Sequence, residues 1–535
     1  MLRLGVFGRR QVRASTSTAW KMSFLSSSSR EFSAAVNDNT GAFSHYVHNK
    51  EMAEKSPSGI LKPDLATFKR LPSLDEPIPG LPVLKPASQL QAPRTETTVL
   101  PNGLRVISQE TYGQASTVGL FVDAGSRFED DSNTGITHMM EHLGFKSSHS
   151  RSHADLVREF EDIGAQTTSS SGREQLIYTV DVLRDNVDRA LELLADAFVN
   201  PAILEDEVEM TKVIMKIQSE DLKENPQMFL QERIHKAAYG EQHTLGRPLQ
   251  CPLENVDALN RDTVVAYMNK FFVAPRIVLA GSGIEHAVLV EMAKKYFGAL
   301  KGPEVPEKVA VEPAVYRGGL EAIENVDAPF SYASLAFPTG GWHHADLVPV
   351  CVLQTLLGGG DSFSAGGPGK GMYSRLYTHV LNRYYWVESA QAFSSLHNDT
   401  GLLGIYGACM PEATGQLVGL LVNQLLSIAL HGVDATELSR AKNQLKSSVL
   451  MNLESRMILY EDIGRQLLTY GERESPDVIC AKVDAVTAAD LQRVVREAME
   501  HKPSLVYMGK LTDFPSYDNV AQAIHQVFNQ PSPSP

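Results

Sequence analysis

Phe271-Phe272-Val273-Ala274-Pro275-Arg276-Ile277-Val278-Leu279-Ala280-Gly281 reads as a helix end, a proline and a strand. His501-Lys502-Pro503-Ser504-Leu505-Val506-Tyr507-Met508-Gly509 repeats that plan about 230 residues later. An amphipathic helix precedes each stretch (262–270 and 488–499), and another helix follows each (286–297 and 517–528). The long periodic helix at 204–222 has its counterpart at 433–453, at a similar spacing. Four elements recurring in one order point to a duplication. The chain has 535 residues, 43% of them hydrophobic, which is too long for one ordinary core. The expected fold is α+β: two homologous domains, each a mixed sheet with helices packed mainly on one face. The boundaries expected are 95–300 and 320–520, with a charged, proline-containing linker at 301–319 and a C-terminal helix end and tail at 521–535.

Within the first half, TTVLPNGLRVISQE from Thr97 predicts two strands around the turn Pro101-Asn102-Gly103. A strand (117–122), two helices (134–144 and 154–163), a strand (176–182) and a helix (186–199) follow. No run approaches the roughly 18 apolar residues of a membrane span. Cys251, Cys351, Cys409 and Cys480 lie far apart, which fits a reducing compartment and no cysteine metal site.

The first residues have their own composition. Arg3, Arg9, Arg10, Arg13, Lys21 and Arg30 are basic, serine and threonine abound, and no acidic residue precedes Glu31. That is the pattern of a mitochondrial transit peptide, expected at 1–32. Its loss takes the formal charge from −14 to −19, so the mature chain disfavours nucleic acid and favours cationic partners. Residues 33–94 hold Pro57, Pro63, Pro72, Pro77, Pro79, Pro82, Pro86 and Pro93 and read as an extended arm.

Gly358-Gly359-Gly360-Asp361-Ser362-Phe363-Ser364-Ala365-Gly366-Gly367-Pro368-Gly369-Lys370-Gly371 reads as a long loop between an apolar segment and a helix-like one at 372–382. Glycine costs roughly 0.5–1 kcal/mol against alanine inside an element, so this density must serve flexibility, close approach or positive φ. It is no phosphate loop, because Gly371 follows Lys370 and Ser364 stands where the first glycine belongs.

His138-Met139-Met140-Glu141-His142 is H-x-x-E-H. On a helix the two histidines share a face and are able to ligate zinc, with Glu141 beside them as general base. The motif and its setting resemble the inverted-zincin peptidases of the pitrilysin family. That resemblance places a third ligand, a glutamate, at Gln218 and an assisting glutamate at Thr211. Both carboxylates are absent here, and Asp221 lies one turn further on. The glycine-rich segment, Asn452-Leu453-Glu454-Ser455-Arg456 and the following EDIGRQ resemble the α-subunits of the mitochondrial processing peptidases.

The resemblance implies a LuxS/metallopeptidase-like fold and a matrix location. It also implies a chain that recognises basic presequences while a β-subunit partner carries the complete zinc site. The glycine-rich segment (Gly358 to Gly371) is implied in substrate binding. Weak zinc binding through His138 and His142, and residual catalysis through Glu141, stay open. So do an autonomous zinc peptidase and a core subunit of the cytochrome bc1 complex, attached to the inner membrane through its partners.

Overall fold

The computed structural model describes residues 93–302, 311–362 and 371–529. The expected transit peptide, the arm up to 92, linker residues 303–310, residues 363–370 of the glycine-rich segment and the tail from 530 lie outside them.

Strands β1 (Thr95–Val99), β2 (Arg105–Gln109), β3 (Ala115–Val122), β4 (Gln166–Ser171), β5 (Leu176–Leu183) and β6 (Ile277–Ser282) build the first sheet, in the order β1-β2-β6-β3-β5-β4. Strands β7 (Gly319–Glu324), β8 (Ser331–Thr339), β9 (Gly359–Asp361), β10 (Val387–Leu396), β11 (Gly401–Cys409) and β12 (Ser504–Gly509) build the second, in the order β7-β12-β8-β11-β10-β9. In each sheet one pair is parallel, β2 with β6 and β7 with β12, and the other pairs are antiparallel. The run β2-β6-β3-β5-β4 therefore matches β7-β12-β8-β11-β10 strand for strand. The two repeated stretches at 271–281 and 501–509 end in β6 and β12, which hold equivalent places. These are two α+β domains of one design.

The longer helices of the first half are α1 (Ile136–Leu143), α2 (His153–Asp162), α3 (Val187–Val199), α4 (Glu205–Lys223), α5 (Pro226–Tyr239), α6 (Arg261–Phe271) and α7 (His286–Phe297). Those of the second are α8 (Leu347–Leu357), α9 (Thr414–His431), α10 (Ala435–Leu453), α11 (Arg456–Tyr470), α12 (Pro476–Ala485), α13 (Ala488–Met499) and α14 (Tyr517–Asn529). Val106, Val118, Leu120, Leu176, Val180 and Leu279 point from the first sheet into a core with Ile136, Met139, Leu191 and Leu289. Their neighbours along the strands, Ile107, Phe121, Ile177 and Val278, point to the opposite face, as the two-residue period of a strand requires.

That opposite face is covered from the other half. Leu459, Tyr460, Ile463 and Leu467 of α11 pack on it, with the Tyr460 and Phe121 ring centroids 5.0 Å apart. Reciprocally, Phe229, Leu230, Ile234 and Tyr239 of α5 pack on Tyr332, Leu402, Tyr406 and Val506 of the second sheet. Each half so lends a helix to its twin, and both sheets bury two faces. Arg456 ties the exchange down, donating to Thr117 Oγ1 at 2.9 Å and to Asp181 Oδ1 at 2.5 Å. A buried ion cluster adds to it: Arg127 donates to Glu174 at 2.7 Å and to Asp399 Oδ1 at 2.7 Å, joining first half to second.

Two local readings differ from expectation. The glycine-rich stretch does not begin as a loop: Gly359–Asp361 is an edge strand, with Gly359, Gly360 and Asp361 opposite Gln391, Ala390 and Ser389 of β10. Glycine permits this because Gly359 has φ +94° and a Cβ there would stand 1.9 Å from the Ala390 carbonyl oxygen. The helix expected at 372–382 is a turn followed by a π-helical segment, Tyr377–Leu381. Helix α9 and its lead-in, Pro411–His431, are long and apolar enough to cross a bilayer, but Leu417, Leu421 and Leu425 are buried within the protein.

Candidate functional site

The H-x-x-E-H residues sit on α1, and the start of that helix is built with care. Gly135 precedes it at φ +92°, where a Cβ would lie 2.2 Å from Cys251 Sγ. Only glycine lets the Cys251 segment cross so closely. The first N–H groups of a helix lack intrahelical partners. Here the Glu129 carboxylate accepts from the Gly135 N–H at 2.8 Å and the Thr137 N–H at 2.9 Å. Burial raises the Glu129 pKa to about 7, against the opposing pull of those hydrogen bonds and of Arg247.

One turn apart on α1, His138 and His142 both face α4. Gln218 Oε1 lies 2.8 Å from His138 Nε2 and 2.7 Å from His142 Nε2. The structure therefore brings the three residues together at a single oxygen. The Cys251 backbone N–H donates to His138 Nδ1 at 3.3 Å. Burial holds the His138 pKa below the usual histidine value. Glu141 turns to the neighbouring edge strand, where its Oε2 accepts from Ser171 N at 3.0 Å and Ser171 Oγ at 2.5 Å. Ser169 Oγ donates to the Glu141 carbonyl at 2.5 Å, so β4 is fastened along α1.

Thr211, two turns before Gln218, is fully buried, and its Oγ1 has no hydrogen-bond partner. Asp221 is exposed on the same helix. Among the described residues no three His, Cys, Asp or Glu side chains converge to hold a metal. Glu129, Ser171 and the Cys251 amide were not singled out in the sequence. Ser171 carries a weak signal as part of a serine run, whereas a backbone N–H carries none.

Residues 105–253 match the model of insulinase (peptidase family M16), and residues 258–445 match that of the peptidase M16 inactive domain. The chain is 41% identical over 453 residues to the probable mitochondrial-processing peptidase subunit alpha-1 of Arabidopsis thaliana, covering 84% of this chain and 89% of that one. It belongs to peptidase family M16, among the mitochondrial-processing peptidase α-subunits. The Solanum tuberosum subunit alpha is 40% identical over 459 residues, covering 85% of this chain and 90% of its own. That of Homo sapiens is 35% identical over 473 residues, covering 84% and 89%. A chain of complex III2 from Candida albicans superposes with a TM-score of 0.70, over 80% of this chain and 99% of that one. At 21% identity it shows a shared fold.

In this M16 chain the glycine-rich segment leaves the second sheet beside β10. The Ser362 N–H donates to the Glu388 carbonyl at 2.7 Å, and the Ala392 N–H donates to Gly358 O at 2.8 Å, extending the β9 pairing at both ends. A Cβ on Gly358 would meet Ser374 at 2.4 Å, and one on Gly360 would meet the Tyr377 hydroxyl at 2.6 Å. The first glycines thus answer to close packing. Gly371 re-enters at φ +72° near Gln444 of α10. The stretch Asn452–Arg456 supplies the Arg456 contact to the first sheet. Gly464, in the EDIGRQ stretch, lets α11 lie against Phe121.

Proposed function

We propose that this chain is the presequence-recognition α-subunit of a mitochondrial processing peptidase, paired in the matrix with a β-subunit that carries out the cleavage. The observation that carries the reading is Gln218. In an M16 chain otherwise retaining H-x-x-E-H, the side chain meeting both histidines is a neutral amide, and a catalytic zinc ordinarily takes three good protein ligands. His138, His142 and Glu141 are remnants in this reading.

Recognition follows from charge and backbone. Removing residues 1–32 leaves a formal charge of −19, which attracts basic presequences at ranges that salt limits to about 8–10 Å. Strand β4 is the last strand of its sheet, and an extended peptide is able to add to such an edge through main-chain hydrogen bonds with little demand on side chains. The glycine-rich segment, Gly358 to Gly371, acts in peptide capture in this reading, and its first residues, Gly359–Asp361, form the corresponding edge of the second sheet.

The test is mass-spectrometric detection of cleavage of an arginine-containing presequence peptide, with one equivalent of zinc. The mature chain alone gives no product, and adding a β-subunit gives the cut. Cleavage by this chain alone that disappears in Glu141→Gln refutes the assignment and makes it a peptidase in its own right. The bc1 core-subunit reading has its own check, co-migration with that complex on a native gel.

A further inference from the structure

The polar contacts around H-x-x-E-H form a chain of donors and acceptors, and its direction follows from one backbone group. A peptide N–H only donates. Since the Cys251 N–H points at His138 Nδ1, that nitrogen is an acceptor and carries no proton. A neutral imidazole then bears its proton on Nε2, which donates to Gln218 Oε1. His142 Nε2 approaches the same amide oxygen at 2.7 Å, and an oxygen acceptor requires it to donate as well.

Both ring nitrogens that would face a metal therefore carry hydrogen. Histidine binds a metal through the lone pair of one nitrogen, while the other ring N–H donates to a carbonyl or carboxylate. At His138 that arrangement is reversed, because the Cys251 N–H occupies the place where an acceptor belongs. Gln218 adds no carboxylate, and Glu141 is engaged by Ser171. The residues present do not fit a zinc ion.

We propose that His138, Gln218 and His142 form a metal-excluding hydrogen-bond latch that fastens α4 to α1 in place of the zinc. The two histidines persist for this structural task, with Gln218 Oε1 taking two N–H donors where a cation would take two lone pairs. Thr211 fits the same picture. At its position a fully buried hydroxyl without a hydrogen-bond partner stands in place of a carboxylate.

The experiment uses the purified mature chain, selectively 15N-labelled at histidine. Two-bond proton–nitrogen correlations report the tautomer of each ring, and His142→Asn assigns the signals. Nε2–H is expected at both rings, unchanged by equimolar zinc. An Nδ1–H tautomer at His138, or zinc-induced shifts of both rings, overturns the proposal. Thermal melting supplies a second reading. Chelation with EDTA leaves the wild-type Tm unchanged, whereas Gln218→Leu, which strands two N–H donors, lowers it by about 4 °C. Gln218→Glu keeps an acceptor and keeps the wild-type Tm in zinc-free buffer, which separates loss of the latch from general damage to α4. A Tm that falls with EDTA, or one unmoved by Gln218→Leu, also overturns it.

Discussion

Gly464→Ala in α11 puts the exchange of helices between the halves to a test of sign. On helix propensity alone the substitution stabilises by about 1 kcal/mol. The tertiary contact opposes it. A Cβ at this position would lie 2.1 Å from Phe121 Cε2 and 2.5 Å from Cδ2 and Cζ of the same ring. Carbon atoms rest at about 3.5–4.0 Å, so the ring must move by more than an ångström. Phe121 is fully buried and already flanked by Tyr460, which leaves it no space to enter. Overpacking of this kind costs about 1–3 kcal/mol, and steep overlap with an immobile ring belongs at the upper end. The net expectation is a loss of about 1–2 kcal/mol.

A chain of two domains is a poor candidate for a single unfolding free energy. Native-state amide exchange in β3 and β6, the strands beneath α11, gives the local value instead. The cycle closes with Phe121→Ala, which alone costs about 3–5 kcal/mol. Combined with Gly464→Ala it should cost at least 1 kcal/mol less than the sum of the two, because the added methyl then fills vacated space. Greater protection in Gly464→Ala, or additivity within about 0.5 kcal/mol, would refute the close approach of α11 to the first sheet.

Three further outcomes are expected. Arg456→Ala removes the half-buried bond to Asp181 and should cost about 1 kcal/mol, with faster exchange in β3 and β5; no change in those strands would remove Arg456 from the interface. Glu129 has its pKa raised to about 7, so the folded state binds this proton more tightly than the unfolded chain, and its contribution is full below about pH 4.5 and lost as pH rises through 7. Wild type should accordingly lose about 3 kcal/mol against Glu129→Gln between pH 4.5 and 7.5, read from native-state amide exchange in α1 at the two pH values, and the opposite slope would contradict the burial of this carboxyl. Gly359→Ala places a Cβ 1.9 Å from the Ala390 carbonyl and should detach β9, seen as fast exchange of the Ser362 amide while β11 keeps its protection.

Much of the architecture lay open in the amino-acid order because its signals are local. Short apolar runs marked β3, β5 and β6, the helical period marked α3, α4 and α10, and the proline–strand stretch before Gly281 and Gly509 announced the duplication. The one-turn spacing of His138 and His142 placed both rings on one helix face. Other features depended on groups distant in sequence. α5 and α11 carry no strong apolar stripe, and which sheet each covers is settled only when the opposite faces of both sheets need burial. The glycines at 358–360 read as freedom, yet Ala390, Ser374 and Tyr377 make them close contacts along an edge strand. Residue types alone showed that Gln218 is no carboxylate. The proton positions at His138 and His142 depend on the Cys251 N–H, 113 residues from His138, and a backbone group leaves no mark in the sequence.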